Sequence, residues 1–335
     1  MSSATPLTDT RSLPAIQRAT ARRWPLVAAL RRTWRTMRAS WFHFWFANQS
    51  TRVLELVRIG VGALTFLSYL AMRGSYVELF GANGWITDWA ITRWSSHPYH
   101  FSVLYDTSST TVLAALFVLG LAVSAGLCLG LFTRFCKWAL LIVQISFVYR
   151  NPYITYGFDN LLSSMLFILC LAPVGRQWSV DAWLRRNQAT CIRAKYSRWG
   201  CACRRLLQIQ MVLVFFFAGC HKLRGETWWS GDAFWAMSVS LTYFGEMPLG
   251  FFARHYWLVN AVTYGTVLLE LAYPFLIWDR RTRPYLLTGA VALHLGIGLL
   301  MHLYLFSLLS IFGHLAFLYD DWLISRRPFG KTANG

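Results

Sequence analysis

Acidic residues are scarce: 14 Asp and Glu stand against 32 Lys and Arg, and charged residues of both signs make up only 14% of the 335 positions. A soluble domain is roughly one quarter charged, so composition argues against a water-facing enzyme. Paired CxxC units are also missing. The seven cysteines, Cys128, Cys136, Cys170, Cys191, Cys201, Cys203 and Cys220, fall mostly inside or beside apolar stretches, without histidines at zinc-ligand spacing. Cys201 and Cys203 form a C-x-C beside arginines but lack two further ligands, so no metal is expected. The first 20 residues hold no apolar run long enough for a secretory signal, and no cleaved leader is expected. Neither a nucleophile elbow nor a phosphate-cradling glycine loop nor a dinucleotide fingerprint occurs in a suitable setting, which leaves acyl and phosphoryl transfer without support.

What the chain has in abundance is apolar surface: 56% of residues are hydrophobic and 17% aromatic. A net charge of +18 on a soluble protein would suggest nucleic acid, but here the apolar runs make membrane topology the better explanation, and no nucleic-acid partner is expected. Residues 22–47 interleave arginines with Trp, Leu and Phe, as in an amphipathic helix lying on an anionic leaflet. Eight apolar runs follow, near 53–72, 110–132, 136–150, 159–174, 206–222, 256–278, 284–302 and 304–319. A bilayer core needs about 20 residues of helix, so each reads as a transmembrane helix, with a turn near His302 dividing the last two. The expected fold is therefore an all-α integral membrane domain of about eight spans. It divides into a basic arm at 1–50, the membrane domain at 51–320 and a short tail at 321–335.

Loop charge sets the orientation. With the N-terminus inside, 24 Lys and Arg fall on the cytoplasmic side and six outside, Arg73, Arg93, Arg150, Lys222, Arg224 and Arg254. Both termini are then cytoplasmic, and the outer segments near 73–109, 151–158 and 223–255 form an aromatic interfacial cap. Such a protein belongs in a bacterial inner or plasma membrane.

Ionisable groups within a bilayer are costly, so each is a functional candidate. Arg58, Asp159, Lys222, Glu270, His294 and His302 qualify. For Arg58 and Glu270 the favoured reading is a buried pair or a structural bond to backbone. Lys222 follows a glycine and His221 and precedes a Trp-rich loop, in FFFAGCHKLRGETWWSG. Its stem either snorkels to water or sits under a cap that excludes water, where loss of its proton becomes easier and the amine can act as a base. His294 and His302 are eight residues apart and share a face only if their helix runs unbroken.

Taken in order, LVRIGVG with Arg58, GLCLGLFTRFCKWALL, RNPYITYGFDNLL, QWSVDAW, the Lys222 segment, LLELAYPFLIW, and His294 before MHLYLFSLLSIF resemble the HTTM (horizontally transferred transmembrane) domain family. The resemblance covers roughly residues 50–320. Its best-known member is vitamin K-dependent gamma-glutamyl carboxylase, so it implies chemistry on the extracytoplasmic side with Lys222 as the base that deprotonates a reduced quinone. Oxygen and carbon dioxide are then co-substrates, a secreted peptide is the acceptor, and His221, His294, Glu270, His302, Arg58 and Asp159 line or support the cavity. Two features depart from the carboxylase: Pro152 stands where it carries a histidine, and only about 16 residues follow the last helix. The alternative is a non-enzymatic membrane factor for maturation or export of a secreted peptide. A transporter is disfavoured, because no inverted repeat with matching interrupted helices is visible.

Overall fold

The fold is described from a computed structural model covering residues 15–82, 84–87, 90, 93, 101–105, 109–185, 196–240 and 249–318. The start of the expected arm at 1–14, the expected tail at 321–335, Cys191, and parts of the 73–109 and 223–255 caps lie outside the described residues. Two units separate at Ala47. The first is one helix, α1 (Ala15–Phe46). Along it Leu30, Trp34, Met37 and Trp41 recur three and four residues apart, all exposed, with Arg31, Arg35 and Arg38 interleaved.

The second unit is a helical bundle. Its long helices are α2 (Arg52–Met72), α4 (Thr110–Leu129), α5 (Thr133–Arg150), α6 (Gly157–Leu171), α8 (Arg198–Lys222), α12 (Tyr256–Leu276), α13 (Arg283–Met301) and α14 (Tyr304–His314). Short helices α3 (Tyr76–Phe80), α7 (Val180–Leu184), α9 (Glu226–Trp229), α10 (Ala233–Ser238) and α11 (Leu249–Arg254) fill the connections. The eight long helices fall on the eight apolar runs. Four of them, α2, α4, α8 and α13, are long and apolar enough to cross a membrane. The last run divides at His302, whose left-handed φ of 57° breaks the helix before α14 starts two residues later.

A two-residue antiparallel ribbon, β1 (Gln49–Ser50) with β2 (Tyr196–Ser197), holds together the chain just before α2 and just before α8. These helices therefore start at the same end, and Lys222, closing α8, lies at the opposite end of that helix. At the ribbon end the Arg204 guanidinium donates to the carbonyls of Ala316 and Leu318, tying down the chain after α14.

Arg58 and Glu55 build a fully buried knot near this end. Arg58 Nε donates to Glu55 Oε2 at 2.9 Å, and its other nitrogens reach the carbonyls of Leu127, Cys128 and Trp178. Glu55 also accepts the amides of Gly175, Arg176 and Gln177 at 3.1, 2.8 and 3.1 Å. The approach needs a small residue after α4: Gly130 closes that helix with φ 72°, and a Cβ there would stand 3.0 Å from Arg58 Nη1. Every charge in the knot has partners, which is the condition for tolerating a buried pair.

Asp181 on α7 caps the start of α5, accepting the Phe132 amide at 3.0 Å and the Thr133 amide and hydroxyl at 2.9 and 2.7 Å. Partial burial pushes this carboxyl up, but the Thr133 and Phe132 donors outweigh it and hold the group below its ordinary value. A depressed folded-state value stabilises the fold above the unfolded carboxylate range, about pH 4, and that contribution disappears as pH falls through the folded value. Thermal melts of Asp181→Asn should accordingly match wild type at the acid end of this window and fall below it near neutrality; equal gaps at both ends would contradict the cap.

Candidate functional site

Gly219 lies on the face of α8 that meets α12. A Cβ at this position would stand 2.9 Å from Leu271 Cδ2 and 3.2 Å from Glu270 Cβ, so the helices approach closely here and any larger residue must displace both neighbours. That approach brings the acid to the amine: Lys222 Nζ donates to Glu270 Oε1 at 2.8 Å. Lys222 also stands 5.1 Å from the centre of the Trp228 ring, within cation–π range. Gly219→Val should force α8 and α12 apart and cost about 1–3 kcal/mol by overpacking, read as a lower melting temperature in detergent. An unchanged melt would mean that the helices tolerate the extra volume.

The pair sits in the wall of a cavity of about 750 Å³ between α8, α12 and α13. Small residues on the two facing helices, Gly265 on α12 and Gly289, Ala292 and Gly296 on α13, leave room for it. Phe234 and Met237 of α10 close it on the other side. This roof is fastened to α12 by four bonds: the Phe234 amide to Thr263 Oγ1 at 3.1 Å, the Tyr264 hydroxyl to the Trp229 carbonyl at 2.9 Å, the Asn260 side-chain amide to the Gly231 carbonyl at 3.2 Å, and the Tyr256 hydroxyl to Asp232 at 2.6 Å. A pocket this size fits a drug-sized or ring-bearing molecule. Most of its lining is apolar, and the Lys222–Glu270 pair supplies its charge. The Lys222 side chain keeps 21% of its surface and Glu270 7%, so the amine is largely but not wholly withdrawn from water.

Behind the cavity lies a second polar layer. Phe215, about two turns before Lys222 on α8, stacks on Tyr273 at 4.2 Å and meets His294 and His314 edge-on at 5.9 and 5.3 Å. The His294 and His314 ring centres are 5.4 Å apart, and the Tyr273 hydroxyl lies 3.0 Å from His314 Nδ1.

Residues 46–322 match the HTTM domain. The protein belongs to the HTTM family. Curated proteins and solved structures give no match to the chain.

Within this HTTM domain the sequence-derived candidates separate into two groups. Lys222, Glu270 and His221 line the cavity. His294 stands behind it, packed against the lining residue Phe306 at 5.8 Å. The other three are elsewhere, each for a local reason. Arg58 is consumed by the Glu55 knot. Asp159 caps α6 by accepting the Tyr156 amide at 3.2 Å and also accepts from the Gln144 side-chain amide, whose own oxygen accepts a hydrogen bond from the Tyr69 hydroxyl. His302 is exposed at the α13–α14 turn, 2.7 Å from the Tyr304 hydroxyl. Nor is Lys222 an isolated amine, since its carboxylate partner is already in place. Sequence reasoning missed Trp228, Tyr273 and His314. Tyr273 had a usable signal, because it lies three residues after Glu270 and so shares its helix face.

Proposed function

We propose that this HTTM protein is a quinol-handling membrane enzyme of the carboxylase-like type, with Lys222 and Glu270 as its proton-accepting pair. The supporting observation is an ion pair set in the wall of a large apolar cavity. The residues present suit a reduced quinone: the cavity volume admits a ring, Trp228 and Phe306 offer flat faces, and Glu270 Oε2 is buried with no hydrogen-bond partner among the described residues. Such a quinol, when bound, supplies an acidic ring hydroxyl and, with dioxygen, the driving force for a stronger base; carbon dioxide and a peptide glutamate are the remaining substrates.

The chain's own groups then divide the work. Paired as ammonium and carboxylate, Lys222 cannot accept a proton at Nζ. A ring filling the cavity excludes water and raises the desolvation cost of two charges, which favours the neutral amine–acid form of the pair. In that form Nζ takes the substrate proton, leaving an ammonium beside protonated Glu270, and release of the Glu270 proton to water when the cavity empties restores the resting ion pair. Trp228 steadies the cation, and His221 borders the same space.

All eight long helices cross the bilayer in this reading, with the ribbon end and both termini cytoplasmic and the cavity opening outward. Its support is the loop-charge asymmetry. Anionic lipid engages the arginines of α1, and the acceptor is a secreted peptide. Protein in vesicles should quench Trp fluorescence when a short-chain naphthoquinol is added, and should consume oxygen with it. Binding without oxygen consumption would favour the non-enzymatic peptide-maturation role, and neither signal would remove the quinol reading.

A further inference from the structure

The cavity wall is uneven. Near their connecting turn α12 and α13 touch, and a Cβ at Gly289 would stand 3.1 Å from Leu269 Cδ1. Farther from the turn they part: a Cβ at Gly265 or at Gly296 would meet no described neighbour within 4 Å. Exposure follows the same line. Thr263, Phe234 and Ser238 line the cavity beneath the roof and are buried, at 0%, 8% and 2%, whereas Ala261, Gly265 and Ala292 line it between the parted helices and are exposed. Contact with the cavity alone therefore does not account for their exposure, and they mark a window in its side. Leu268 on α12 and Leu295 on α13, both exposed, share the outward faces on which it opens. The roof, by contrast, is held by its four bonds to α12.

Inside, polarity is confined to one end. Glu270 follows Leu269, so the ion pair sits where the helices touch, and Glu270 Oε2 has no hydrogen-bond partner among the described residues although the residue is only 5% exposed. Buried acceptors are ordinarily satisfied, so this oxygen asks for a donor. From there the lining follows α13 from Gly289 to Met301, about 18 Å of helix, and its residues along that helix are apolar. A ring at the ion pair leaves much of this length unfilled.

We propose that the cavity is loaded sideways from the bilayer through the window between α12 and α13, and that its ligand is a long-chained amphiphile: a head hydroxyl donates to Glu270 Oε2 while the chain lies along α13 and leaves past Gly265 and Ala292. This deepens the proposed function and rests on its placement of α12 and α13 in the bilayer. A substrate of this kind is drawn from the lipid pool rather than from water.

The probe is a long-chain primary alcohol carrying a diazirine at mid-chain, added to vesicles holding the full-length protein and cross-linked by light, with labelled peptides read by mass spectrometry. Outward faces of the helices meet lipid in any case, so the informative labels are those on Phe234 and Ser238, which only a probe inside the cavity can reach. Wild type should carry them. Gly265→Leu with Gly296→Leu should lower them about tenfold, the scale of one overpacking penalty, with an unchanged melting temperature because both sites have open space. Gly265→Ala with Gly296→Ala, a smaller intrusion, should fall between. Tyr256→Phe with Tyr264→Phe, which removes two of the four roof bonds, should leave the labels as they are. Labelling that ignores the leucines, or that rises when the roof is loosened, would overturn the side window in favour of entry from above; absence of the Phe234 and Ser238 labels in wild type would overturn the long-chained ligand. An unlabelled long-tailed naphthoquinol should compete for the same labels. If it does not while the leucine variants still block the alcohol, the quinol reading fails and the window stands.

Discussion

Lys222→Met should abolish quinol-dependent oxygen consumption, lowering kcat by about 10²–10⁴-fold, the range for removal of a positioned acid–base group. Methionine retains the length of the stem and its packing against the cavity wall but has no proton to exchange. The substitution also strands Glu270, 7% exposed, without its cation. Removing one member of a buried pair costs about 3–5 kcal/mol when the other stays charged, so loss of rate alone could reflect loss of fold. Lys222→Met combined with Glu270→Gln separates the effects. The double variant has no orphan charge and should recover the melting temperature while remaining inactive. Recovery of turnover along with stability would remove Lys222 from the chemistry and leave the pair a structural tie between α8 and α12. Quinol affinity, followed by Trp fluorescence, should change far less than kcat, because a ring held by apolar walls and Trp228 does not depend on the proton.

Much of the bundle was legible in the sequence, and the reason is physical. A helix in an apolar medium must satisfy its own backbone, so membrane helices announce themselves as long apolar runs whatever their neighbours are. The turn at His302 was also readable, since one run too long for a single crossing has to fold back. Pairings between helices were not. Glu270 and Lys222 are 48 residues apart, and nothing local in either segment says which acid meets which base. Glu55 shows the same limit more sharply. It precedes Arg58 by one turn and so was within reach of a local rule, but its larger role, accepting three amides from the 175–177 loop, depends on tertiary placement. Family resemblance pointed to the lysine; only the fold supplied its partner and the histidine layer behind it. Arg58 and Asp159 met the same criterion of charge within a helix, and both proved to be fastening points, because a buried charge signals a demand for partners before it signals chemistry.

Glu55→Ala should be the most destabilising single substitution in the bundle, costing about 3–5 kcal/mol, with loss of monodisperse protein in detergent as the first sign. Four donors converge on this carboxylate, and its removal leaves the Arg58 guanidinium and three loop amides facing apolar side chains. Arg58 still holds carbonyls of residues 127, 128 and 178, but neutral oxygens do not balance its charge. Glu55→Gln probes which part matters. Glutamine keeps the shape and one acceptor oxygen but sets its own amide hydrogens against two of the four donors, so if hydrogen bonding dominates, it should recover only part of the melting temperature. If charge balance dominates, Glu55→Gln should be nearly as damaging as alanine, and Glu55→Gln with Arg58→Met should be milder than either single change. A mild Glu55→Ala phenotype would mean that the loop finds other partners and that the knot does not hold α2 to the end of α4. Because the knot lies near the opposite end of the bundle from the cavity roof, the glutamine variant should leave quinol-induced Trp quenching intact in whatever fraction remains folded.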